Sequence, residues 1–452
     1  MLSASRVPAG VSRRDWLRMM AAAAAGVSFN SATVLKAFAE GVATSPTRKG
    51  ACILLWMSGG PSQIDTFDPK PGHANGGPTK AIDTAVPGIQ ISENLPRLAQ
   101  LMQHIAVVRS ITTKEGDHSR ATHFVRTGSL PQGPIKYPTL GSLFSKELGD
   151  PTAQLPNFVS ISPNRFLSPA AFGAGFLGPQ YGPLFVGENG NGGPNLDAAA
   201  ALRVRNIELP RGVEKSRGDS RIDLLRSMDD SFLAEHPGVV TESRNSAYGK
   251  AVKLMNSTGA QAFNLDEEPA ALRDAYGRST FGQGCLLARR LVERGVPFVE
   301  VSLNSAEGSG GIGWDTHADN FNAVKSLCGV LDPAWSTLLV DLEQRGLLES
   351  TLVVWMGEFG RTPKINENTG RDHFPVAWTN VLCGGGIKGG QVVGKTSEDA
   401  MTVADRPVVV QDMFATRAMA LGIDPETQNM SNIGRPIRIA DPSAKPITEI
   451  LA

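Results

Sequence analysis

Histidine is scarce in this 452-residue chain, with seven copies, and cysteine is scarcer, with four. The cysteines (Cys52, Cys285, Cys328 and Cys383) sit in apolar stretches such as "ACILLW" and "NVLCGGG", and no two have the spacing of a zinc-binding pair. They read as separate buried thiols, with one disulfide as the alternative that an oxidising compartment would allow. Net charge is missing too, since 44 Lys and Arg balance 44 Asp and Glu. That balance removes the usual electrostatic ground for binding nucleic acid or an anionic membrane. No apolar run reaches the length of a bilayer span, so no transmembrane segment is predicted in the mature chain. No internal repeat is present.

Glycine and proline are plentiful instead, with 49 and 30 copies, which predicts a loop-rich protein whose loops carry the function. The length allows a large core. Near the N-terminus, "SRRDWLRMM" places Arg13 and Arg14 ahead of the apolar "MMAAAAAGVSF", and "AFA" at Ala37 to Ala39 offers the small residues of a cleavage site. In that order, these features predict a twin-arginine export signal over residues 1–39 and a periplasmic or extracellular protein starting at Glu40. A chance arginine pair ahead of a helix is the bland alternative.

Further on, strand-like and helix-like runs alternate. "ACILLWM", "IAVVRSI", "LPNFVSIS", "VPFVEVSL", "STLVVWMG" and "TNVLCGGG" read as strands. "AALRDAYGRSTFGQGCLLARRLVERG" reads as one amphipathic helix, "FNAVKSLCGVLDPAWSTLLVDLEQRGLL" as a helix interrupted at Pro333, and "VQDMFATRAMALGI" as a last helix. The alternation predicts an α/β fold, a mostly parallel central sheet with helices on both faces. A polar, glycine-rich turn in composition makes the region near 186–268 an inserted helical segment within one domain over 40–452. Such sheets bind ligands at the carboxyl ends of their strands, and the Asp, His and Gly residues gather there.

Four loop motifs carry candidate chemistry, and one decoy does not. "GGQVVGKT" fits a phosphate-binding loop literally, but the strand ends too early and "SEDAMTVADRP" is a poor helix. In "GWDTHADNF", Asp315 or Thr316 could merely cap a helix, but a cap has no need of His317. "DHSRATHFVRTG" sets Ser119, with His118, Arg120 and His123, at a helix start, where a phosphate or sulfate could also sit. Asp117 or Ser119 as a plain cap is the alternative. "WMGEFGRTPKIN" places Glu358 and Arg361 past a buried strand, as a functional pair or as a surface ion pair. "GRDHFPVAW" holds Asp372 and His373, where the aspartate alone would serve a turn. Asp315, His317 and His373 form a plausible set of three ligands with coordination positions left open. Carboxylate and neutral imidazole suit zinc or manganese, with calcium as a third candidate.

Taken in order, "LLWMSGGPSQIDTFDPKP", "HSRATHFVRTG", "GWDTHADNF", "VVWMGEFGRTP" and "GRDHFP" make the chain resemble the alkaline phosphatase superfamily over roughly residues 48–440. Within it, the closest resemblance is to the sulfatase-related, twin-arginine-exported domain-of-unknown-function family 1501. The resemblance implies a three-layer sandwich. It implies that Ser119, four residues before His123, is the nucleophile, and that Asp315, His317 and His373 hold a divalent metal. Glu358 would replace a metal-binding aspartate, while Phe359 stands where a ligand histidine belongs. The first-strand metal aspartate of relatives is missing from "MSGG", with Asp65 or Asp68 as substitutes. Arg120 or Arg361 would steady ester oxygens, and His123 and Asp372 would contact substrate. One metal site is nearly complete and its partner is degraded. The sulfatase signature C-x-P-x-R is absent, since "CLLAR" at Cys285 lacks the proline. The expected function is an exported metal-dependent hydrolase of phosphate or sulfate esters, acting on a small-molecule or glycan substrate. The alternative is a catalytically silent relative that binds a ligand or glycan with the inherited pocket.

Overall fold

In the strand Ala51–Met57 (β1), alternate side chains enter two different cores: Ile53, Leu55 and Met57 pack into one, and Cys52, Leu54 and Trp56 into the other. A strand buried on both faces belongs in the middle of a sheet covered by helices on each side. The computed structural model describes residues 50–452, except 132, 167, 188–197, 205–208, 210–211, 237–247, 256–257 and 307–311. The predicted export signal, and part of the segment near 186–268, lie outside the described residues.

Seven further strands join the sheet: Ile105–Ile111 (β2), Phe158–Ile161 (β3), Leu184–Val186 (β4), Phe298–Leu303 (β5), Thr351–Met356 (β6), Trp378–Gly384 (β7) and Gln391–Val393 (β8). Their spatial order is β8-β2-β7-β6-β1-β5-β3-β4. Every neighbouring pair is parallel except the two made by β7, which runs against β6 and β2. The first core takes helices Thr280–Glu293 (α4) and Asn320–Gln344 (α5); the second takes His118–Thr127 (α1), Leu140–Leu148 (α2) and Val410–Ala420 (α6). The fold is therefore α/β in three layers, as the alternation of runs predicts. Between β4 and β5 the described chain holds the helix Lys215–Glu235 (α3), shorter helices at Ala198–Ala201, 248–255 and Ala270–Ala275, and 3-10 turns at Thr258–Phe263 and Leu265–Glu267. Among the described residues, no helix is long and apolar enough to cross a membrane.

Two local readings need correction, and a third holds. The run read as one helix over 270–295 is two, because Ser279 is extended and its hydroxyl accepts from Gly282 N at 3.1 Å, which starts α4 afresh. Pro333 does not interrupt α5. Leu331, Ala334, Trp335 and Leu338 around it are fully buried, and that packing outweighs a helix cost of about 3 kcal/mol. The phosphate-loop match is a decoy as its flanking sequence implies: Gln391–Val393 and Lys395–Thr396 within it are extended, and residues 397–402 after it form turns, not a helix.

Two contacts fix the edge where the site lies. Phe67, in the loop after β1, packs edge-on against Trp355 of β6 at 4.9 Å and Trp335 of α5 at 5.9 Å, anchoring that loop. Arg126 of α1 pairs with Glu300 of β5 and covers Phe172 at 3.9 Å and Trp56 at 4.9 Å. Both charges are almost fully buried, so neither can leave without stranding the other. The pair holds α1 to the sheet, and α1 carries His118 at its first turn. The loops after β1, β2 and β5, and the one connection that leaves β6 and enters the antiparallel β7, all open at this carboxyl edge.

Candidate functional site

The loop after β1 is shaped by glycine. Gly59 has φ +114°, and a Cβ there would lie 2.5 Å from Asp315 N, so only glycine lets the two loops meet. Gly59 N donates to Glu358 Oε1 at 2.9 Å, and Trp314 N donates to Ser58 O at 3.2 Å. In this way the "SGG" turn seats the loop bearing Asp315 beside the end of β6.

Three histidines arrive with the same orientation. His118 opens α1 behind the cap Asp117, whose carboxylate accepts from Arg120 N at 3.0 Å. Its Nδ1 lies 2.8 Å from Glu358 Oε1. His373 pairs with Arg361 in a two-residue antiparallel ladder, and its Nδ1 lies 2.8 Å from Gly116 O. His317 Nδ1 lies 2.8 Å from Asp372 Oδ1. Each Nδ1 faces an oxygen that can only accept, so each Nδ1 carries the proton. The three Nε2 atoms then face one centre: Asp315 Oδ1 lies 3.2 Å from His118 Nε2 and 3.1 Å from both His317 and His373 Nε2. Arg361 Nη2 donates to the same oxygen at 2.5 Å.

That oxygen is oversubscribed, having lone pairs for about two of four nitrogens. Among the described residues, neither the buried His118 Nε2, 3.2 Å from Asp315 Oδ1, nor the buried Glu358 Oε2 has a well-formed hydrogen bond. His317 and His373 bring their Nε2 atoms within 3.0 Å of each other. Such a set of inward-facing donors fits a cation. One donor atom each from His118, Asp315 and His373 lies within 4.8 Å of the others. Burial falls across the cluster from Glu358, 2% exposed, to His317, 46% exposed, so the mouth is on the His317 side. Phe359 is fully buried with its ring 4.9 Å from that of His118 and 4.6 Å from that of His373, giving both an apolar backing.

The residues singled out in the sequence divide. Asp315, His317, Glu358, Arg361, Asp372 and His373 come together. Arg361 is not open to an ester, however: it has no exposed surface and donates to Gly59 O, to Gly60 O at 3.0 Å and to Arg371 O at 3.2 Å, besides Asp315. Ser119 follows His118 on the first turn and is exposed. Arg120 is exposed and forks Glu115 at 2.7 and 3.0 Å. His123 is turned to the far end of its own helix, with Nδ1 3.0 Å from Ser129 O, and burial lowers its pKa. Asp65 is buried against Arg371 at 2.8 Å, and Asp68 accepts from Thr396 Oγ1 at 2.5 Å and Lys70 Nζ at 2.9 Å. Neither aspartate is brought to the cluster. His118 was missing from the ligand set drawn from the sequence. Its signal was present in "DHSRATH", a histidine directly after a helix cap at a strand's carboxyl end.

Residues 49–451 match the model of a family described as "Protein of unknown function (DUF1501)". No curated protein matches the chain. Among solved structures, it is similar to the PsFucS1 sulfatase from Pseudoalteromonas sp., at 14% identity and a TM-score of 0.40, covering 86% of this chain and 70% of that one. A protein in the alkaline phosphatase superfamily from Vibrio parahaemolyticus is similar at 13% identity and a TM-score of 0.39, covering 84% and 68%. The lipoteichoic acid synthase LtaP from Listeria monocytogenes is similar at 10% identity and a TM-score of 0.37, covering 88% and 77%.

Protonation follows from the geometry. Burial opposes charge on both His118 and Asp315, but their mutual contact and the neighbouring groups win. Glu358 and Asp315 raise the pKa of His118 to about 9, while His118, His373 and Arg361 hold Asp315 well below the usual carboxylate range. A raised histidine stabilises the fold fully below its ordinary value of 6.5, and that contribution is lost as pH climbs through about 9. With a chelator present, the thermal midpoint of the wild type should therefore fall between these two values. The fall should be shallower in His118→Asn, and parallel curves for the two proteins would contradict the ion-paired cluster.

Proposed function

The chain belongs to the family described as "Protein of unknown function (DUF1501)", and on that premise we propose that it is an exported, metal-dependent hydrolase of phosphate or sulfate esters. The observation that carries this reading is the shared orientation of three imidazoles, each with Nδ1 engaged by an oxygen and Nε2 turned towards Asp315 Oδ1. Oxygen partners on the outer nitrogen fix the tautomer and raise the basicity of the inner one, as metal-binding histidines require. His118, Asp315 and His373 would hold the ion, with His317 at the mouth and Glu358 behind His118. A donor set rich in imidazole suits zinc first and manganese second, and suits calcium poorly because calcium takes six to eight oxygens. The ion would supply Lewis-acid polarisation of an ester oxygen.

Ser119 is the candidate nucleophile. Its hydroxyl is exposed next to His118 and lies in the positive field of a helix N-terminus. Arg361 acts as a positioning residue for Asp315 and the glycine turn, not as an oxygen clamp. The order of motifs, with its resemblance to the alkaline phosphatase superfamily, supports the reaction class and a small-molecule or glycan ester as substrate. A silent ligand binder is the second reading. It is favoured by Phe359, which lies against His118 and His373 in the place where the resemblance expects a ligand.

Calorimetry of the apo protein with zinc should give saturable binding that His118→Ala and His373→Ala weaken by more than about 100-fold. Ser119→Ala should keep that affinity and lose turnover on a panel of aryl phosphates, phosphodiesters and aryl sulfates. Zinc binding without any turnover would favour the silent binder, and absence of binding would sink both forms of the metal assignment. For export, N-terminal sequencing of extracytoplasmic protein should begin at Glu40, whereas residues 1–39 intact on cytoplasmic protein would contradict the signal.

A further inference from the structure

Asp315 and His373 sit on loops far apart in sequence, and a buried ring of hydrogen bonds beneath the cluster joins those loops. Arg371 N, two residues before His373, donates to Thr316 O at 2.9 Å, next to Asp315. Thr316 Oγ1 donates to Asn320 Oδ1 at 2.6 Å, and Asn320 Nδ2 donates to Asp65 Oδ2 at 2.8 Å. Arg371 Nε closes the ring on the same Asp65 oxygen at 2.8 Å. Asp65, Asn320 and Arg371 have no exposed surface and Thr316 has 4%. Around the ring, Thr79 Oγ1 donates to Asp65 Oδ1 at 2.7 Å, and Arg371 Nη2 donates to Asn75 O at 2.8 Å. The two loops are also in direct contact, since a Cβ on Gly370 would lie 1.9 Å from His317 O.

We propose that the Asp65–Arg371–Thr316–Asn320 ring sets the spacing between the Asp315 and His373 ligand groups and thereby fixes the affinity of the metal centre. This rests on the metal assignment made above. Metal donors must be held within about 0.5 Å of their working positions, and a loop achieves that only when locked from behind. The ring supplies such a lock. A buried carboxylate and guanidinium bind each other in one orientation through the guanidinium fork, and Thr316 ties Asp315 to that pair through both its carbonyl and its hydroxyl. Asp65 thus serves the centre without touching it.

Thr316→Val removes the hydroxyl with little change of shape, and Thr316→Ser restores it. Zinc affinity of the apo protein, measured by competition with a chromophoric chelator, should fall about 10- to 100-fold in Thr316→Val and stay within about twofold in Thr316→Ser. Arg371→Lys, which keeps the charge but loses the fork, should behave like Thr316→Val. Asn320→Ala breaks the ring at another point should Thr316→Val fail to fold. Chelated samples of each protein are melted in parallel. A lowered apo melting point with unchanged zinc affinity would reduce the ring to a stabilising element and overturn the proposal. If the wild type takes no zinc, the metal assignment fails and the proposal with it. If wild type and ring variants bind zinc equally, only the ring proposal fails.

Discussion

Asp315 Oδ1 has four nitrogen atoms around it, from Arg361 and the three histidines His118, His317 and His373, and the surrounding architecture serves to keep them there. Left to itself, such a cluster would relax, since one carboxylate oxygen cannot satisfy four donors and three imidazoles repel once protonated. It persists because every member is held from behind. Glu358 holds His118, Gly116 O holds His373, Asp372 holds His317, and the Gly59 and Gly60 carbonyls hold Arg361. Preorganisation of this sort places the cost of gathering like groups in folding and not in binding.

The sheet makes the gathering possible. Four connections at its carboxyl edge bring residues from positions 59 to 373 into one place, and the single antiparallel strand lets His373 enter from the same side. Two buried ion pairs stiffen the edge. Arg126–Glu300 pins α1, and hence His118, while Arg371–Asp65 pins the loops on either side of Asp315. Buried pairs add little net stability, but they tolerate few alternative geometries. That suits positioning better than strengthening.

Much of this was legible in the residues. Continuous apolar runs in "ACILLWM" and "STLVVWMG" mark central strands because such runs cannot face water on either side. Asp315, His317 and His373 stood out because a cap or turn has no use for imidazole. Asp65 misled, because a carboxylate shortly after a strand looks the same whether it faces an ion or an arginine 306 residues away in the chain. His118, singled out beside Ser119, stayed out of the ligand set for the opposite reason. Next to a helix cap, its type did not reveal that the first turn of α1 aims it at Glu358. The split of the 270–295 helix turned on one serine's backbone, and the survival of α5 through Pro333 on tertiary packing. Neither is visible in local periodicity.

X-ray absorption spectroscopy of the zinc-loaded protein tests the central claim most directly, because it reads the donor atoms themselves. A shell of nitrogen and oxygen near 2.0–2.1 Å, with outer scattering from at least two imidazoles, is expected if His118, His373 and Asp315 hold the ion. That imidazole scattering should diminish in His118→Ala. A shell of oxygen alone, or a spectrum unchanged in His118→Ala, would contradict the assignment.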